Sequence, residues 1–225
     1  ARRAATPDEV QQMAEIVREA MAAGAKLTRT LDLSSRPAVM LAVQECAAEF
    51  GGIDILVNCA GGVRGQVGRP LEEVSEPDWM ALFEANVHSA FWCAQAVTPH
   101  MKSGGFGRII NISSGAGLRP SLTGIQAYTA SKHALVGLTK QLSLELGPFG
   151  ITVNSVAVQS PTHAIVNVTL QPTATLGTRD VSLSTNAEIA TKTASFTVQP
   201  GSATISSVIP NSGRRAQTGL AITIA

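Results

Sequence analysis

The sequence predicts an α/β domain, with a parallel sheet flanked by helices, followed by a small all-β segment. Three observations predict this. Helix-periodic stretches alternate with short apolar runs over the first 150 residues, the βαβα order of a parallel sheet. Charge then falls sharply: residues 151–225 hold six charged side chains and the first 150 hold the other 27. All three cysteines, both tryptophans and the only tyrosine lie before residue 150, and the remainder is rich in Thr, Ser, Val and Ile. Such a break near residue 150 suggests two domains of different class.

Each element has a local reason. Thr6-Pro7-Asp8-Glu9 opens a helix: Thr6 caps, Pro7 suits the first helical position and Glu9 closes a capping box. Val10, Met13, Val17, Ala20 and Met21 recur at helical spacing, and Gly24 ends the helix. Residues 25–31 read as a short strand. Ser34 or Ser35 with Pro37 starts a second helix to Phe50, closed by Gly51. Ile53-Asp54-Ile55-Leu56-Val57 is a compact apolar run, a strand buried on both faces. Ser75-Glu76-Pro77-Asp78 opens a long helix through Asn86 towards Val97. Residues 108–112 form another buried strand, and residues 128–146 a helix with Ala134, Leu135, Leu138 and Leu142 on one face. In the tail, residues 164–170, 180–185, 194–198 and 220–224 alternate with period two. Turn residues separate them, the rhythm of a β-sandwich.

Composition narrows the functions. A chain 44% apolar and 15% charged buries a core. A net charge of +1 argues against a nucleic-acid binder that works through a basic surface. No apolar run approaches the roughly 18 residues of a membrane span. Cys46, Cys59 and Cys93 lack metal-ligand spacing, as do His88, His100, His133 and His163, so no metal site is expected. Unpaired, sparse cysteines fit a reducing, cytoplasmic setting for the first part. The first residue is Ala1 rather than Met, which leads to the expectation of a fragment.

Chemistry concentrates at a few strand ends and one helix. Tyr128 and Lys132 are four residues apart and share a helical face. An ammonium beside a phenol favours the phenolate, which suits Tyr128 to general acid–base work near neutral pH. Ser113-Ser114 ends an apolar strand, where ligands of open α/β sheets bind. A hydroxyl there can hold a substrate carbonyl while the phenol delivers a proton. Asn58-Cys59-Ala60-Gly61 ends the preceding strand, and its small residues let a flat ligand approach the backbone. Singly these signals are weak. Tyr and Lys at this spacing are common, Ser-Ser after a strand is usually a turn or cap, and an Asn in a helix is usually solvated.

Their order is not weak. Asp32-Leu33, Asn58-Cys59-Ala60-Gly61, Asn86, Ile112-Ser113-Ser114, Tyr128-Thr129-Ala130-Ser131-Lys132 and Ile151-Thr152-Val153-Asn154-Ser155-Val156 follow one another. This set resembles the short-chain dehydrogenase/reductase family over roughly residues 1–157. The resemblance implies a partial Rossmann-like, doubly wound parallel sheet and an NAD(P)-dependent oxidoreductase interconverting a carbonyl and a secondary alcohol. It implies Tyr128 as proton donor or acceptor, and Lys132 as the group that lowers its pKa and binds the nicotinamide ribose. It further implies Ser114, rather than its neighbour Ser113, as the orienter of substrate, and Asn86 as holder of a water relaying protons to Lys132. Asp32 and Leu33 fall beside the adenine, and Asn58, Ala60 and Gly61 line the cofactor. Arg2 or Arg3 falls where NADP-preferring members carry a basic residue, which tilts the cofactor expectation from NAD towards NADP. The most similar members by type are 3-oxoacyl-carrier-protein reductases and sugar-alcohol dehydrogenases. The helices of Asn86 and Tyr128 correspond to the family's subunit contact and imply a homotetramer.

Two departures accompany the match. The family's Thr-Gly-x-x-x-Gly-x-Gly turn, whose amides hold the pyrophosphate at a helix N-terminus, has no counterpart here. Gly61-Gly62-Val63-Arg64-Gly65 and Gly104-Gly105-Phe106-Gly107 lie elsewhere. The expectation is a truncated chain with impaired NAD(P) binding, whose strand at residues 25–31 has lost its neighbour. After Val156-Ala157 the family's Pro-Gly gives way to Val158-Gln159-Ser160-Pro161-Thr162. The tail, about residues 158–225, resembles a bacterial immunoglobulin-like repeat of secreted or surface proteins. The alternative expectation is therefore a chimera whose C-terminal module serves in extracellular binding or spacing.

Overall fold

The computed structural model describes residues 11, 14, 15, 18, 19, 21–160, 163–167, 177–184 and 189–198. The described residues fall into two compact units, one ending by Gln171 and the other beginning at Pro172. Arg2 and Arg3 lie outside the described residues, as do the expected helix start at Thr6 and the last expected strand, 220–224.

The first unit is a four-stranded sheet with helices packed against it. The described residues between 11 and 22 are helical, and Gly24 follows with φ +100°. α1 spans Arg36–Phe50, with Ser35 at its N-cap, Pro37 in the first turn and Gly51 in the left-handed conformation after its end. β1 is Ile55–Asn58. α2 (Glu76–Phe83) begins where Ser75 Oγ accepts from Asp78 N at 3.3 Å. A π-helical turn, Glu84–His88, joins it without a break to α3 (Ser89–Gly104). β2 (Gly107–Ile112) leads through a 3₁₀ turn at Gly115–Gly117 to α4 (Gln126–Leu146) and β3 (Ile151–Ser160).

β1, β2 and β3 run parallel, with Asn58 beside Asn111 and Ile112 beside Val156. The sheet order is β1-β2-β3-β4. The core lies between α3, α4 and the sheet: Ala94, Val97, Met101, Ile109, Leu146, Ile151 and Val153 pack together. Gly107 permits the close crossing of α3 on β2, because a Cβ there would stand 2.5 Å from Met101 Sδ.

Four expectations need correction. Residues 25–31 form no strand; among the described residues no ladder partner lies beside them, and an isolated strand leaves its backbone groups unpaired. They line instead an apolar cavity of about 560 Å³ with Leu33, Val43, Ile55 and Leu56. β1 is not buried on both faces: Ile55 is 60% and Val57 52% exposed. Among the described strands β1 is the sheet edge, so the face carrying these two side chains lacks the cover that α3 and the core give Leu56. The buried face of α4 is rotated from the expected apolar stripe. Ser131, Lys132, Leu135, Val136, Thr139 and Ser143 are buried, while Ala134, Leu138 and Leu142 are half-buried, because polar groups at the sheet end take hydrogen bonds there. Finally, β4 (His163–Asn167), which its rhythm groups with the tail, pairs antiparallel with β3 and completes the first sheet.

The second unit contains β5 (Gly177–Ser184) and β6 (Ile189–Val198), an antiparallel pair with an irregularity between Arg179 and Val181. A two-stranded pair is not an immunoglobulin-like sandwich, and the expected strand 220–224 lies outside the described residues.

Candidate active site

Part of the sequence-derived set, Asn58, Ser114 and Lys132, stands at the carboxyl ends of β1 and β2, where ligands bind in open α/β sheets. Lys132 is 4% exposed and its Nζ donates to the Ile112 carbonyl at 2.9 Å. That bond ties α4 to the last residue of β2, directly ahead of Ser113-Ser114. The same ammonium lies 5.7 Å from the centre of the Tyr128 ring, so the two side chains do share a face. Tyr128 is half-buried, close to the beginning of α4.

Ser114 and Ser113 differ. Ser114 is half-buried and its Oγ accepts from Ala116 N at 3.2 Å, capping the 3₁₀ turn. Ser113 is 7% exposed and its Oγ is buried without a hydrogen-bond partner. Gly117 sits on it: a Cβ there would come within 2.7 Å of Ser113 Oγ and 2.9 Å of the Lys132 carbonyl. Glycine at 117 therefore allows the serine turn to lie directly against the helix that bears Tyr128 and Lys132.

Asn86 sits in the π turn and is 1% exposed. Its Nδ2 donates to the Leu82 carbonyl (2.9 Å) and the Gly62 carbonyl (3.0 Å), and its Oδ1 accepts from Gly62 N (2.9 Å). The amide thus clamps the loop after β1. Gly61, at φ +147°, lies so close that a Cβ would be 2.5 Å from Asn86 Oδ1, so glycine is required by both conformation and contact. π turns of this kind recur at functional sites.

Asn58, at the end of β1, donates from Nδ2 to Asn111 Oδ1 (2.8 Å) and to the Ala90 carbonyl (3.4 Å). Asn111 Nδ2 donates to Thr139 Oγ1 at 2.9 Å. Thr139 lies seven residues after Lys132, two turns along the same face, so α4 is anchored to β2 at two points. Asn58 here braces the sheet. Asp32 and Leu33 stand ahead of α1: Asp32 Oδ1 accepts from Ser34 N (3.0 Å) and Ser34 Oγ (2.6 Å), and Leu33 lines the apolar cavity. Asn111, Thr139, Gly117 and Gly62 were not anticipated. Asn111 carried a signal, since an Asn inside an apolar strand needs a buried partner.

Burial pushes the Lys132 amine below its ordinary 10.5, and the neighbouring Cys59 side chain acts in the opposite direction. The sign for stability follows from linkage. Below the lowered folded value the ammonium is charged in both states and its burial penalty is fully present. Between that value and 10.5 the unfolded chain holds the proton more than the folded one, so stability rises with pH. Urea titrations from neutral pH to 10.5 are expected to show the native chain gaining stability relative to Lys132→Met across this window. Parallel curves for the two proteins would refute the buried-ammonium assignment.

A bound nicotinamide nucleotide fits this site in part. The buried ammonium beside a phenol, together with small Ala60 and Gly61 at the end of β1, suits the ribose–nicotinamide end. Among the described residues no glycine turn opens a helix next to β1 to receive a pyrophosphate. Among the described residues no group of three or more His, Cys, Asp or Glu is placed to hold a metal, and none of their helices is long and apolar enough to cross a membrane.

Comparison with known proteins agrees with this geometry. A family model described as short chain dehydrogenase matches residues 2–167, and so reaches through β4. The (2S)-[(R)-hydroxy(phenyl)methyl]succinyl-CoA dehydrogenase subunit BbsD of Thauera aromatica is 42% identical over 126 residues, 56% of this chain and 49% of that protein. The D-beta-hydroxybutyrate dehydrogenase of Rhizobium meliloti is 36% identical over 150 residues, 67% of this chain and 56% of the relative. Among solved structures, a gluconate 5-dehydrogenase from Burkholderia cenocepacia in complex with NADP and tartrate superposes with a TM-score of 0.58 at 34% identity, covering 66% of this chain and 57% of that one. An NAD+-bound xylitol dehydrogenase gives a TM-score of 0.57 at 30% identity, with 68% and 56% covered. The chain spans about half the length of the curated relatives it matches. The parallel sheet and its antiparallel edge from β1 to β4 lie within the stretch that the family model matches: this chain is a member of the short-chain dehydrogenase/reductase family.

Proposed function

We propose that this chain carries the proton-transfer side of an NAD(P)-dependent oxidoreductase that interconverts a carbonyl and a secondary alcohol. One observation carries the reading. Lys132 Nζ is fixed on the Ile112 carbonyl, so its charge stands beside the Tyr128 ring and next to the Ser114 turn. Ser114 Oγ, free to donate while it accepts from Ala116 N, orients the substrate oxygen. Tyr128 Oη gives or takes the proton on that oxygen. Lys132 holds positive charge beside the phenol and reaches the nicotinamide ribose. Asn86 shapes the same wall. Its side chain is committed to Gly62 and Leu82, so any water in a relay to Lys132 rests on its backbone carbonyl. A bound nicotinamide supplies or accepts the hydride. Substrates are small carbonyls or alcohols; the hydroxy acid and sugar acid dehydrogenases among the relatives support that class.

These 225 residues hold no turn of the Thr-Gly-x-x-x-Gly-x-Gly kind; isothermal titration with NADPH that gives no micromolar affinity supports impaired cofactor binding, and micromolar affinity overturns it. The α3 and α4 surfaces bound a groove of about 320 Å³ lined by Phe91, Ala94, Thr98, Leu142 and Leu146, which supports these helices as a subunit contact. The function itself is tested by NAD(P)H absorbance with a panel of keto acids, keto sugar acids and 3-oxoacyl thioesters. The cofactor concentration is raised until titration shows occupancy. No carbonyl-dependent oxidation at that occupancy would overturn the reading.

A further inference from the structure

Asp78, on α2, holds the loop that follows β1. Its Oδ2 accepts from Arg69 Nη1 at 2.7 Å and its Oδ1 from Gln66 Nε2 at 3.0 Å. That loop is in turn joined to the segment between the Ser114 turn and α4. Gly68 N donates to the Thr123 carbonyl at 2.9 Å, and Gln126 Nε2 donates to the Arg69 carbonyl at 2.8 Å. Gly124, at φ +57°, completes the seam: a Cβ there would stand 3.1 Å from Gly68 Cα and 3.2 Å from Arg69 N. Gln126 is the first residue of α4, two before Tyr128. One carboxylate thus fixes both side chains of a loop whose backbone receives the start of the helix that bears the phenol.

We propose that Asp78 is a positioning residue for Tyr128, acting through Arg69 and Gln126 to hold the first turn of α4 against the loop after β1. The inference rests on the proposed role of Tyr128, since a helix end needs such bracing only if a group on it must meet substrate at fixed geometry. Two of the links are bonds to backbone carbonyls, which set the position of the main chain rather than the rotamer of one side chain. The hub is also distant in sequence from what it braces, so loosening it leaves the hydrogen bonds of α4 itself intact.

The test exploits Tyr128 being the only tyrosine. Tyrosine labelled with carbon-13 at the ring Cζ gives one resonance from the full chain. In Asp78→Ala this resonance is expected to shift or broaden, while amide exchange over residues 119–128 rises about tenfold, as for the loss of one hydrogen bond. Gln126→Leu is expected to move the same resonance and the same amides. Glu45→Gln, which breaks the remote Arg29–Glu45 ion pair, leaves both at the native values. Should Asp78→Ala fail to fold by far-ultraviolet circular dichroism, Asp78→Asn and Gln126→Leu decide. An unmoved ring resonance in a folded variant, with loosening confined to residues 66–70, overturns the proposal. Neither readout needs turnover, so an inactive native chain would count against the carbonyl reductase reading while the role of Asp78 is still decided.

Discussion

Tyr128→Phe is expected to lower carbonyl reduction by about 10²–10⁴-fold, the range for loss of a positioned general acid. The substitution removes one oxygen and keeps the ring that Lys132 faces at 5.7 Å. The side chain is half-buried, so stability is expected to stay within about 0.5 kcal/mol of native. On the proposed role, in which the hydroxyl acts on the reacting oxygen, kcat and kcat/KM are expected to fall together with cofactor affinity unchanged, the signature of an interaction made in the transition state. The measurement is NAD(P)H absorbance at saturating cofactor, paired with titration of cofactor binding. Native turnover in Tyr128→Phe would remove the phenol from the mechanism and leave Ser114 and Lys132 without the group they are arranged around. Loss of cofactor binding in parallel would instead make the ring a wall of the cofactor site.

The helices were legible because their signals are local. Ser35, Pro37 and Gly51 bracket α1, and Ser75 caps α2, in the sequence as in the structure. The order of the site motifs was legible for the same reason, since Tyr128 and Lys132 are joined by a single helical turn. What failed depends on neighbours distant in the chain. Residues 25–31 have strand composition but no described strand beside them. Ile55 and Val57 have the composition of a buried strand but lie on a sheet edge, and apolarity alone does not say which strand ends a sheet. His163–Asn167 alternates as the tail does, yet its partner is β3. The polar bracing of the site was hidden for a further reason: each member is an ordinary Asn, Thr, Gln or Asp, and only the fold makes them meet.

Asn111 is the clearest of those hidden members, and Asn111→Ala is expected to cost about 2–4 kcal/mol of unfolding free energy. The residue is 1% exposed in the middle of the sheet. Its amide receives Asn58 Nδ2 on one side and donates to Thr139 Oγ1 on the other, while Thr139 Oγ1 donates to the Leu135 carbonyl at 2.7 Å. Alanine takes the nearer acceptor from the half-buried Asn58 amide and the donor from the buried Thr139 Oγ1, and it leaves a cavity between β2 and α4. Thr139→Val alone removes one end of the chain and is expected to cost less, about 1 kcal/mol. The double variant is then expected to be less destabilised than the sum, because both substitutions break the same bond. Urea denaturation of the four proteins supplies the cycle. Strict additivity, or a change within about 0.5 kcal/mol for Asn111→Ala, would show that the amide does not bridge strand and helix. The coupling matters to chemistry because the second anchor of α4, Lys132 Nζ on the Ile112 carbonyl, lies one residue further along the same strand. If Asn111 and Thr139 let go, the polar tie that remains between α4 and β2 is the Lys132 side chain itself, the group proposed to act in the reaction.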